Sequence, residues 1–168
     1  MATNVNQSIF LVDDEPIQNE MLKDYLAERF NYKFQLFDNG EDALKNMGTN
    51  PAIVILDYHL NAHNAGAKNG VQILAEIKEQ YPATQVIMVS GQDKIQVAVD
   101  SMKYGAYDYI VKGETAFARM ENTLKRINEL EESKFLYQSS RKSITFLIIA
   151  MVCIIALSAF LLLNGHKL

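Results

Sequence analysis

Four stretches of the chain place polar residues where apolar runs end. In SIFLVDDEP the run Ile9 to Val12 stops at Asp13 and Asp14, and IVILDY stops at Asp57. VIMVSG stops at Ser90, and GAYDYIVKG carries Tyr109 and runs into Lys112. Two adjacent carboxylates at the mouth of a buried strand are costly unless something positive sits between them. Taken singly, each residue has an ordinary reading: Asp14 and Ser90 as helix caps, Asp57 as a turn residue, Lys112 as a surface lysine with a buried stem, Tyr109 as a packed aromatic. It is their shared position at run ends that asks for a common cause.

The elements that must position them follow from periodicity. Ile9–Val12, Phe34–Phe37, Ile53–Leu56, Val86–Val89 and Tyr109–Val111 read as five short strands separated by helical patterns. Pro16 suits the first helical position, and the helix it opens places Ile17, Met21, Tyr25 and Leu26 on one face. Further helices cover residues 40–47, 70–81 and 94–104. A long one runs over Ala116–Leu136, with Phe117, Met120, Leu124 and Ile127 at helical spacing against the core. Strict alternation, with strands apolar on both faces, predicts an α/β domain: a doubly wound five-stranded parallel sheet between helix layers. Ligands bind such sheets beyond the carboxyl ends of the strands, beside the point where the winding reverses. Asp13, Asp14, Asp57, Ser90 and Lys112 all fall on that rim.

Together these motifs resemble the receiver domain of two-component response regulators, over about Ser8 to Leu130. The resemblance implies a flavodoxin-like receiver fold in which Asp57 accepts a phosphoryl group. It further implies that Asp13, Asp14, Asp57 and the backbone carbonyl of His59 hold Mg²⁺, and that Lys112 and Ser90 contact the phosphoryl oxygens. A hard cation that keeps several waters suits a few carboxylates on an open rim. The donor implied is the phosphohistidine of a sensor histidine kinase or phosphotransfer protein, or a small acyl phosphate. Inward movement of Ser90 would be coupled to rotation of Tyr109 and read on the face formed by the helix at residues 94–104, the fifth strand and the last helix. Such a protein is a signalling switch that catalyses only its own phosphotransfer and dephosphorylation.

Two features depart from the family pattern. Gly113 follows Lys112 where the family usually has proline after a cis peptide, and a cis bond without proline costs about 2.5–4 kcal/mol, so a trans or locally rearranged loop is expected. The loop Tyr58–Gly70 is about five residues longer than expected. Its histidines, His59 and His63, have no cysteine or acidic residue beside them and read as solvated rather than metal-binding. His59 and Gln92 occupy positions that tune dephosphorylation in the family.

The C-terminal run Ile144–Leu163 carries no charge, and its roughly 20 residues give enough helix to cross about 30 Å of hydrocarbon. Only Thr145, Cys153 and Ser158 interrupt it, so it reads as a transmembrane helix. Lys134, Arg141 and Lys142 precede it, which orients the N-terminal part toward the cytoplasm as a single-pass inner-membrane protein. Met1–Gln7 is polar and holds no signal peptide, and Cys153, the single cysteine, implies no disulfide. The expected organisation is a receiver at 1–130, a helical extension and juxtamembrane linker at 131–143, the span at 144–163 and a short tail at 164–168. Gln138–Ser143 is the linker proper, with Arg141 and Lys142 among anionic headgroups. No length remains for an output domain, so the expected output is contact with a membrane-associated protein target.

Charge excludes one class of partner. The net charge is −4, and setting aside the three cations Arg141, Lys142 and Lys167 takes the remainder to about −7, which argues against a nucleic-acid surface. An aspartyl-phosphate phosphatase of the haloacid dehalogenase type needs a second Asp two residues after the nucleophile, where this chain has His59. A static pseudo-receiver used as a membrane adaptor, or a phosphate sink without an output partner, would share the same motifs.

Overall fold

The computed structural model describes residues 7–60, 66–91 and 95–165, without the side chains of 135–136, 138–145, 150 and 152–165. The elements run β1 (Ser8–Val12), α1 (Pro16–Ala27), β2 (Lys33–Phe37), α2 (Gly40–Asn46), β3 (Ile53–Asp57), α3 (Gly70–Gln80), β4 (Gln85–Ser90), α4 (Ile95–Lys103), β5 (Asp108–Val111) and α5 (Ala116–Gly165). The five strands form one parallel sheet in the order β2-β1-β3-β4-β5. The chain steps from β1 to β2 on one side and returns past β1 to β3, so the winding reverses between β1 and β3.

Helices on both faces explain why β1 and β3 are buried along their whole length. On one face Phe10, Val12, Val54, Leu56, Val86 and Met88 pack with Ala43 of α2 and Ile73, Leu74 and Ile77 of α3. Toward the other face α1 meets the start of α5. The Tyr25 and Phe117 rings lie 5.3 Å apart, the Tyr25 hydroxyl donates to Glu121 at 2.7 Å, and the Arg29 guanidinium sits 3.7 Å above the Tyr25 ring.

The strands fall where periodicity predicts them, but the inner face of α1 does not. Ile17 and Met21 are exposed, whereas Asn19 and Leu26 are buried with Leu22 half-buried between them. The helix is rotated so that 19, 22 and 26 form the inner stripe. An apolar count misreads this rotation because a buried position is filled by an amide.

The C-terminal segment also differs. Gln138–Ser143, expected as a linker, is helical, and α5 runs unbroken over 50 residues. By its contacts the chain divides into two units, residues 1–124 and 125–168. Among the described residues no helix is long and apolar enough to cross a membrane. Most side chains of the expected span Ile144–Leu163 lie outside that description.

Candidate functional site

The carboxyl edge of the sheet gathers the polar residues. Asp13 and Asp14 follow β1, Asp57 ends β3, Ser90 ends β4 and Lys112 follows β5. β1 and β3 are the neighbours between which the winding reverses, so the three carboxylates straddle the crevice where such sheets bind ligands. One oxygen from each of Asp13, Asp14 and Asp57 lies within 4.8 Å of the others.

Lys112 reaches across the end of β4 into this crevice. Its ammonium is 2.8 Å from Asp13 Oδ2 and 2.8 Å from Asp57 Oδ1. Burial works against the charged ammonium, but the hydrogen bonds to Asp13 and Asp57 outweigh it, so its pKa is raised. Burial pushes the Asp13 carboxyl up, reinforced by the nearby Asp57 charge and opposed by Lys112 and by the Glu15 N–H, which donates to Asp13 Oδ1 at 3.0 Å. Asp57 is only 3% exposed, and its second oxygen accepts from the backbone N–H of His59.

Ser90 is fully buried, and its carbonyl accepts from the Lys112 N–H at 2.8 Å, which ties the two loops together. The β4–β5 register pairs Met88 with Tyr109 and Ser90 with Val111, so Ser90 and Tyr109 face the same side of the sheet. Tyr109 is half-buried against the apolar cluster. There are no cis peptide bonds among the described residues, as the glycine after Lys112 leads one to expect. His59 is half-buried with its ring edge-on to Tyr58, rather than solvated. His63 and Gln92 lie outside the described residues.

The donor set fits a hard divalent cation. Three clustered carboxylates, two of them paired with the one Lys112 ammonium, leave two net negative charges for an ion that prefers oxygen ligands.

Two contributors were not singled out from sequence. Gly70 opens α3 with its N–H donating to Tyr58 O at 2.9 Å, and a Cβ built there would stand 2.2 Å from the carbonyl oxygen of Asp57. Asn19 sits buried behind the acidic pair, with its amide on backbone carbonyls at the ends of β1 and β2. The Asn69-Gly70 pair at the end of a loop is a legible signal for the first, because Asn69 and Gln72 close a reciprocal cap on α3.

The family profile of the response regulator receiver domain matches residues 9–125. The chain belongs to that family. The receiver is 40% identical over 106 residues to an NtrX-like response regulator of Rickettsia felis, a match covering 62% of this chain and 21% of that protein. It is 31% identical over 137 residues to the nitrogen assimilation regulatory protein NtrX of Azorhizobium caulinodans, covering 77% and 29%. Among solved structures, the receiver domain of NtrX from Brucella abortus superposes with a TM-score of 0.64 at 31% identity, covering 73% of this chain and 98% of that one. The receiver thus spans between a fifth and a third of the length of these two curated relatives.

Proposed function

We propose that this chain is a phosphoryl-accepting switch in which Asp57 is the acceptor. The observation that carries the reading is the Lys112 ammonium shared between Asp57 and Asp13, beside a third carboxylate, at the reversal point of the sheet. An Asp57 oxygen attacks phosphorus in line; the bond from phosphorus to the donor nitrogen or oxygen breaks, and the electron pair leaves with the donor. Lys112 neutralises charge on the phosphoryl oxygens, and the Ser90 hydroxyl donates to one of them once the group is in place. Asp13, Asp14, Asp57 and the His59 carbonyl would hold Mg²⁺, which supplies further charge neutralisation when bound.

The donor is a sensor histidine kinase or a phosphotransfer protein, and the chain is a signalling protein rather than an enzyme with a separate substrate. Incubation with phosphoramidate, a small donor with a phosphorus–nitrogen bond, should add one phosphoryl group per chain by intact mass. The Asp57→Asn chain should gain none, and equal labelling of the two would overturn the reading.

Signalling is proposed to run through protein contacts on α4, where Ile95, Val99 and Met102 form an exposed apolar stripe at helical spacing. Ser90 and Tyr109, which share a face, would couple the site to that side of the fold. The segment Ile144–Leu163 is proposed to anchor the chain in the cytoplasmic membrane, with the receiver on the cytoplasmic side. Phe146, Leu147, Ile148 and Ile149 are each more than half exposed. At about 100° per residue, four consecutive positions point nearly all round the helix, an arrangement suited to lipid rather than to a single packed face. The full chain should float with phospholipid vesicles in a density gradient while a chain ending at Leu136 stays at the bottom. Equal sedimentation would contradict the anchor.

A further inference from the structure

Asn19 is the fourth residue of α1, 3% exposed, on the stripe that faces the sheet. An apolar residue there would add to the core, whereas a buried amide is costly unless its hydrogen bonds are made. Its Nδ2 donates to Asp13 O at 3.1 Å and to Phe37 O at 3.2 Å. Phe37 O also accepts from the Asp13 N–H at 3.1 Å. One side chain therefore ties the Asp13 carbonyl to α1 and to the end of β2, whose Phe37 oxygen also holds the Asp13 N–H. The Asp13 carbonyl belongs to the peptide that joins Asp13 to Asp14, so fixing it sets the direction in which both carboxylates leave the loop.

We propose that Asn19 is a positioning residue of the cation site, holding the Asp13–Asp14 peptide so that the two carboxylates converge with Asp57. The Asn19 amide is bonded to backbone carbonyls, and it acts through the backbone that carries two of the three carboxylates. The proposal rests on the reading of the acidic trio as a Mg²⁺ site. Partners one step removed from a metal tune affinity about 10- to 100-fold, by fixing the ligands rather than by binding the ion.

The test is calorimetric titration of Mg²⁺ into the full chain, without any phosphoryl donor. Asn19→Ala removes the amide, and Asn19→Leu removes it while filling its volume, so that at least one folded variant is in hand. Thr84→Val serves as the comparison, because it deletes another buried side-chain bond to a carbonyl, 3.0 Å to Pro51 O, at the opposite end of the strands. Both Asn19 variants should bind Mg²⁺ about tenfold more weakly, and Thr84→Val should bind it as the unmodified chain does. Unchanged Mg²⁺ affinity in a folded Asn19 variant would overturn the proposal and leave the phosphoacceptor reading standing. A matching loss in Thr84→Val would also overturn it, by showing a general loosening of the fold. An unmodified chain that binds no Mg²⁺ would overturn the cation-site reading together with the role of Asn19.

Discussion

Replacing Lys112 by methionine is expected to slow phosphoryl uptake by about a hundredfold or more, the usual consequence of deleting a preorganised charge that faces developing negative charge. The same change strips the ammonium from two carboxylates it touches at 2.8 Å. Breaking a buried pair from one side leaves uncompensated charge and costs about 3–5 kcal/mol; with Lys112 about a fifth exposed, a loss on the order of 2 kcal/mol is expected. Mg²⁺ should restore much of that loss, so the thermal midpoint of Lys112→Met should rise with millimolar Mg²⁺ more than that of the unmodified chain. Thermal denaturation in chelator and in Mg²⁺ checks the point, and equal shifts in the two chains would contradict it. The raised pKa of Lys112 adds a pH signature. Its contribution to stability is fully present below the ordinary lysine value of 10.5 and is lost as the pH rises through the higher folded value.

Gly70→Ala is expected to damage both stability and phosphorylation, although the added group is one methyl. The new Cβ would stand 2.2 Å from Asp57 O and 2.8 Å from Tyr58 Cα, and both are backbone atoms with no rotamer to escape into. Either α3 retreats from the sheet or the end of β3 moves, and the second choice redirects the Asp57 side chain. Overpacking of this kind costs about 1–3 kcal/mol, and the upper end is expected where backbone must give way. Denaturant titration should show that loss, and the folded fraction should accept phosphoryl groups more slowly than the unmodified chain. Gly48 and Gly113, where a Cβ would meet nothing within 4 Å, are the matched controls, and alanine there should change neither property.

Much of the sheet was legible because β1, β3 and β4 are short apolar runs closed by a polar residue, and their burial on both faces leaves little ambiguity of period. The site was legible for the same reason: Asp57, Ser90 and Lys112 stand where apolar runs stop, and the parallel topology brings those ends to one rim. The inner face of α1 was not. Ile17 and Met21 are apolar yet point outward, and the polar Asn19 points inward because two carbonyls there need a donor. No count of hydrophobic residues contains that information, since it depends on where β1 and β2 end in space. The linker expected at Gln138–Ser143 is itself helical: the polar hexapeptide has neither proline nor glycine, and the flanking turns carry the helix through it.

The most direct measurement is chemical trapping of the modified carboxylate. The full chain is incubated with acetyl phosphate in Mg²⁺ or in chelator, then treated with borohydride, which reduces an aspartyl phosphate to homoserine, and the peptides are sequenced by mass spectrometry. Homoserine at position 57 in the Mg²⁺ sample, and none there in chelator or in Asp57→Asn, is the expected result. Homoserine at another aspartate, or at position 57 to the same extent in chelator, would contradict the assignment of Asp57 as the Mg²⁺-dependent phosphoryl acceptor.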